Sequence, residues 1–226
     1  MASIDNEPRP RAVAQIYQCA SFATGAAEYL PIPDDVPSSD TVWQVIQRRR
    51  THRSFGQVSD ASLGSLLWHA CKASRGASID GIERQHRPAP SAGAIHPITV
   101  VLQGRSRERC KLHVYDPHGH AVRPIDANNE ECTQLRQYAD EVLATQDGLL
   151  LWLLADFGKT AAVYQNAESL VWRDAGVLIC LISVVCEALS LNCCPLGICG
   201  GEYLRNVFGC YSEIQGVGAI VVGSRK

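Results

Sequence analysis

From Pro97 onward the hydrophobic pattern switches repeatedly between strand-like and helix-like spacing and never settles into a regular strand-helix alternation. ITVVLQ, KLHVYD and HAVRPI are short β-branched runs, and PHG between the last two is a hairpin turn signal. NEECTQLRQYADEVLAT then reads as a helix, GLLLWLLAD as an apolar strand, residues 167–189 as a long helix and GVGAIVVGSRK as a closing strand. Helices and strands mixed in this way favour an α+β domain over a doubly wound sheet. No internal repeat is present.

Upstream the chain divides in two. Residues 1–38 carry EPRPR and LPIPDDVPSSD, proline-rich and polar, and read as an arm lying on a surface or a partner; residues 39–226 form the folded domain. Asp40 can cap a helix through Val42, Trp43, Val45 and Ile46, and Asp60 a second one through Leu63, Leu66, Leu67 and Ala70. RGASIDGIERQHRPAPSAGAIHP follows, a long segment punctuated by glycine and proline, without periodicity, and read as a functional loop. Trp43, Trp68, Trp152 and Trp172 sit in apolar contexts and are expected in the core.

The 226 residues are 46% apolar, enough for a sizeable core. A formal charge of -2 argues against nucleic acid or an anionic membrane as a partner, since both call for a broad basic surface. The longest apolar stretch, Ala175 to Leu191, is broken by Ser183, Glu187 and Ser190, falls short of a membrane span and reads as a buried helix. The opening MASIDNEPRPRAVAQ has no apolar segment with a cleavage site, so a cytoplasmic location is expected. Most of the ten cysteines lie in apolar runs such as GVLICLISVVCEAL and read as core residues. Cys193, Cys194 and Cys199 come nearest to a metal set but lack a paired motif, so no metal is expected.

Three segments are able to carry chemistry. RRRTHRSF, residues 48–55, concentrates four arginines. Their planar forks suit a phosphate or carboxylate, although a basic helix end also complements the helix dipole without any ligand. PAPSAGAIHP, residues 88–97, has small residues that admit a planar ligand to backbone N–H groups, or it is a tight turn before a strand. CCPLGICGG, residues 193–201, offers Gly197, Gly200 and Gly201 for positive φ, or is a glycine-rich connector.

Taken in this order, the three segments resemble the nitroreductase superfamily of FMN-dependent oxidoreductases. Its opening helix ends in Arg-Arg-Ser-x-Arg-x-Phe, matched by Arg49, Arg50, Thr51, His52, Arg53, Ser54 and Phe55. PSAGAIHP, with Tyr115, Pro117 and His120 in LHVYDPHGHAVRPI, is similar to the SagB-type branch of azoline dehydrogenases. RDAGVLICLISVVCEALSLNCCPLG is similar to the family's Glu-Ala-Gly helix and the Pro-x-Gly loop after it. The resemblance spans about residues 40–223 and implies an α+β domain with a mainly antiparallel sheet, dimeric with FMN at the subunit interface.

By the same resemblance, Arg49, Arg50 and Arg53 contact the phosphate, ribityl and pyrimidine end of FMN, with Thr51 beside them. Pro90, Ser91, Ala92, Gly93 and Ala94 line the isoalloxazine. Pro195, Leu196 and Gly197 pack near its other face or edge from the partner chain, and Arg225 is a further phosphate candidate. The Lys-Tyr pair of the SagB-type branch is replaced by Val163 and Tyr164, with Lys159 a helical turn or so earlier; Asp174 replaces a glutamate and Val177 a frequent histidine.

The function implied is hydride transfer between flavin and a small or peptide-derived substrate, in natural-product tailoring, with NAD(P)H as an electron donor. Azoline oxidation in peptide maturation and a flavin-binding scaffold without turnover are the alternatives. Where a proton must be removed from carbon, a base within hydrogen-bond reach is required, and the candidates are Tyr164, Lys159 and His96.

Overall fold

The computed structural model describes residues 7–34, 39–79, 82–105, 110–209 and 213–225. Its centre is β8 (Leu149–Asp156), all of whose residues are buried. A strand apolar at every position has both faces covered. Leu149, Leu151, Leu153 and Ala155 face one core, shared with α2 (Asp60–Cys71) and α5 (Glu168–Ala188). Leu150, Trp152 and Leu154 face the other, shared with α3 (Asn129–Val142) and α6 (Gly201–Phe208). The two-residue period of a strand thus sorts one unbroken apolar run into two layers.

Among the described residues β8 belongs to a seven-stranded sheet. The order is β10 (Leu191–Leu196), β11 (Ile214–Ser224), β8, β5 (Ile98–Gln103), β6 (Leu112–Asp116), β7 (Ala121–Pro124) and β2 (Glu28–Tyr29). Every neighbouring pair is antiparallel. The α+β architecture with an antiparallel sheet between helices is therefore the one expected. Asp116 makes the β6–β7 turn, its Oδ1 accepting from the backbone N–H of His118 and Gly119.

Several local readings need correction. The first helix, α1 (Val42–Arg48), is capped by Thr41 in a reciprocal box with Gln44, while Asp40 pairs with Arg48. Ser59 caps α2 in place of Asp60, which occupies its first turn. The non-periodic segment contains a hairpin, β3 (Arg75–Ile79) with β4 (Ile82–His86), in which Ile79 pairs with Ile82. All five residues of β3 are exposed, so there was no buried face to impose alternation. Asp80 and Gly81, the dipeptide that signals such a hairpin, lie outside the described residues. Likewise LNCCPL is the edge strand β10, where Pro195 leaves no inner ladder bond unmade.

Trp152 is fully buried as expected, but Trp43 and Trp172 are 72% and 42% exposed. Trp172 continues a stripe on α5 that includes exposed Gly176, Val177 and Cys180, and Trp43 is on α1, which packs against α5. By length and composition α5 is able to cross a membrane, yet it packs one face on the sheet and leaves this stripe bare, so it is only partly a buried helix.

The N-terminal segment lies along its own domain. β1 (Arg9–Pro10) pairs with β9 (Tyr164–Gln165), Arg11 Nε donates to Ala161 O at 2.7 Å, and Tyr17 Oη donates to Asp156 Oδ1 at 2.5 Å. These bonds buttress α4 (Phe157–Ala161), which carries Lys159.

Candidate functional site

Beyond α1 the chain runs extended beside β10. His52 N donates to Cys193 O at 3.1 Å, Asn192 Nδ2 to Ser54 O at 2.7 Å, and the fully buried Phe55 anchors the segment. Arg50, Thr51 and Arg53 are exposed and Arg49 is half-buried. Arg50 Nη1 folds back onto the carbonyls of Gln47 and Arg49, two of the acceptors left open at a helix end. Arg48 behaves differently: it pairs with Asp40 and with Glu187, a buried carboxylate that also accepts from Arg225 Nη2 at 3.1 Å. Arg225 therefore stands at the same end of the molecule. Among the described residues, no carboxylate pairs with Arg49, Arg50 or Arg53. Three guanidinium groups share a short edge with their charge uncompensated.

The second segment is a strained turn. Ala92–Ala94 form a single 3₁₀ turn, with φ of 58° at Gly93, 56° at Ala94 and 50° at His96. Left-handed backbone at non-glycine residues costs energy and persists only where the surroundings hold it. Asp174 on α5 does the holding. Its Oδ2 accepts from Ser91 Oγ at 2.5 Å and its Oδ1 from Ala92 N at 3.2 Å, while Ser91 Oγ accepts from His96 N at 2.9 Å. Burial raises the Asp174 pKa and these two donors oppose the rise. From the other side Arg84 Nη1 donates to Gly93 O at 2.9 Å. A Cβ on Gly93 would stand 2.8 Å from the Tyr164 hydroxyl, so a larger residue there would add backbone strain and displace the phenol.

All three proposed bases converge on this turn. Lys159 Nζ donates to His96 O at 3.4 Å, and the Tyr164 hydroxyl sits over Gly93. His96 Nε2 faces Gln85 O at 2.8 Å; a carbonyl only accepts, so Nε2 carries the proton and Nδ1 the lone pair. Burial, then the Arg87 charge, pushes the His96 pKa down to about 4, and burial lowers that of Lys159.

Pro195, Leu196 and Gly197 continue β10 directly from Cys193 and Cys194, which border Arg49 and Arg53. This segment therefore lies beside the arginines of the same chain. Gly200 and Gly201 have positive φ as anticipated, whereas Gly197 lies outside that region, exposed and with open space around a Cβ. The arginine end meets α5 at Glu187, beside its C-terminal residue, and the Ser91 turn meets it at Asp174, nearly two turns in from its N-terminus; the two are about 20 Å apart at 1.5 Å per residue.

These donors suit FMN: unpaired guanidinium forks for a phosphate, and a strained turn whose small residues admit a flat ring. Sequence reasoning assigned no role to Asp174, Arg84 or Glu187. Asp174 was visible as the acidic residue of the DAG run, but its partner lies 83 positions away. Among the described residues no group of three or more His, Cys, Asp or Glu is arranged to hold a metal.

A family model described as Nitroreductase family matches residues 46–224. The fold is similar to a structure assigned as a nitroreductase from Ralstonia eutropha, with a TM-score of 0.61, 18% identity, and 97% of this chain and 99% of that one covered. It is also similar to a chain of the Escherichia coli microcin synthetase McbBCD complex with truncated pro-MccB17 bound, with a TM-score of 0.55, 15% identity and coverage of 92% and 79%. A third similar structure is a nitroreductase with bound FMN from Bacteroides fragilis, with a TM-score of 0.50, 11% identity and coverage of 83% and 90%. A search of curated proteins gives no match.

Proposed function

Because the chain belongs to the nitroreductase family, we propose that it is an FMN-dependent oxidoreductase whose flavin lies between two copies of the chain. The observation that carries this reading is that no carboxylate pairs with Arg49, Arg50 or Arg53 among the described residues, with Arg49 and Arg53 beside β10. Arg49, Arg50 and Arg53 would hold the phosphate and neighbouring polar groups as forks, with Thr51 adding a hydroxyl. The turn of Pro90, Ser91, Ala92, Gly93 and Ala94 would line the ring, with Pro195, Leu196 and Gly197 beside it. When bound, FMN supplies hydride chemistry, with NAD(P)H as the donor in this reading. Asp174 and Arg84 fix the turn, so the chain meets the ring with geometry set in advance.

Support for the two-copy arrangement comes from the bare stripe on α1 and α5. Trp43, Ile46, Trp172 and Val177 are exposed apolar residues on helices that pack together. A two-fold axis across the middle of α5 brings the Ser91 turn of one copy to the arginine end of the other, because an isologous interface exchanges the two ends. Fluorescence titration of FMN into the flavin-free protein tests the reading. Arg49→Ala and Arg53→Ala should each weaken binding about tenfold or more, as expected for a lost charge-assisted hydrogen bond. Unchanged affinity in both variants contradicts it.

A second reading, azoline dehydrogenation of a peptide, is favoured by the convergence of Lys159 and Tyr164 on the Gly93–His96 turn. There the lysine amine, its pKa lowered by burial, and the phenol are the groups able to take a proton from substrate carbon. Tyr164→Phe combined with Lys159→Ala should abolish oxidation of a thiazoline peptide while leaving bound flavin reducible. Retained turnover on that peptide removes this reading.

A further inference from the structure

Beneath the turn at residues 90–97 lies a cavity of about 60 Å³, room for several waters. Its apolar walls include Ala70 of α2, Ile98 of β5 and Leu178 of α5; its polar walls include Arg87, Thr99 and Asp174. Arg87 is the anomaly among them. Its Nε donates to Gln85 Oε1 at 2.7 Å, and among the described residues its two terminal nitrogens have no protein acceptor. Asp174, the acidic residue on the same wall, is committed to Ser91 Oγ and Ala92 N.

A guanidinium does not lose its proton in a protein, and a charge withdrawn from water is normally paired. Arg87 is half-buried; burial disfavours its charge and the nearby Lys159 ammonium adds like charge, while the Glu83 and Asp116 carboxylates, beyond ion-pair distance, favour it. Among the described residues no carboxylate comes within ion-pair distance of the terminal nitrogens. An unpaired cation facing a cavity points to a counter-charge brought by a ligand.

We propose that this cavity binds a short-chain monocarboxylate, its carboxylate forked by Arg87 and its alkyl end seated against Ala70, Ile98 and Leu178. One guanidinium neutralises one negative charge, and the carboxylate has the planar geometry that the fork matches. Phosphate, with further charge and acceptors on every side, would meet apolar walls without donors. The site is distinct from the arginine cluster on β10, and because Pro90, His96 and Pro97 also line it, its occupant braces the strained turn from below.

The test is thermal unfolding of the full chain, in the flavin state in which it purifies, against sodium acetate and sodium propionate, with sodium chloride at matched ionic strength as reference. Acetate and propionate should raise the Tm saturably, by about 3 °C or more at ten times the dissociation constant, and chloride should not. Arg87→Gln should abolish the shift. Ala89→Val, which narrows the cavity without touching the cation, should suppress the response to propionate more than that to acetate. A wild-type Tm that follows ionic strength alone, or a shift that survives in Arg87→Gln, overturns the proposal; should that variant fail to fold, equal responses of Ala89→Val and wild type to both acids do so.

Discussion

His96 shows how a single residue is read differently from sequence and from structure. In the sequence it is a histidine before a proline; in the fold it has φ of 50°, its ring donates to Gln85 O, and its carbonyl receives Lys159. Its pKa is depressed from the usual 6.5 to about 4, so the folded state binds this proton more weakly than the unfolded state. The stabilisation is therefore complete above about pH 6.5 and is lost as pH falls towards 4. Burial lowers His69, His113 and His120 in the same direction, so the contribution of His96 is a difference between slopes. His96→Asn tolerates the left-handed backbone and removes the titration. Denaturant unfolding of both proteins from pH 7 to pH 4 should show a shallower loss for the variant, and parallel curves would contradict the assignment. At this scale the arginines were legible because they are contiguous. The contact of Tyr164 with Gly93 and the clamp of Asp174 on Ser91 were not, because each joins positions that only the fold makes neighbours.

Among the elements, those with a strong period could be read directly, and those whose residues share one environment could not. α3 and the strands β5 to β8 fall where the sequence predicts them. β3 has no buried face and was missed; α5 has apolar residues on more than one side, so its bare stripe looked like core. That stripe carries a consequence for assembly. Val177 is exposed on α5, so Val177→Glu should leave the monomer folded while placing a charge in the proposed interface, where it would be buried without a partner. Analytical ultracentrifugation should show a dimer for the wild type and a monomer for the variant, with FMN affinity falling in parallel. A variant that remains dimeric with full affinity would remove α5 from the interface.

Over the whole molecule, one apolar strand divides two cores and α5 joins the two halves of the proposed site. The alternation along β8 was implicit in LLLWLLAD, but the sheet order, with the late strands β10 and β11 beside β8 and the early strand β2 at the far edge, is a tertiary fact. It is this order that sets residues 49–55 beside Cys193 and Cys194, and so brings the arginines to Pro195, Leu196 and Gly197. The central claim is that this assembly binds FMN and turns it over. The measurement that tests it most directly is the anaerobic titration of purified, FMN-reconstituted protein with NAD(P)H, followed by visible absorbance, with the chromophore released and quantified afterwards. One FMN per chain that bleaches on titration is the predicted result. Protein that retains no flavin, or retains flavin that neither NAD(P)H nor a chemical reductant bleaches, would contradict it.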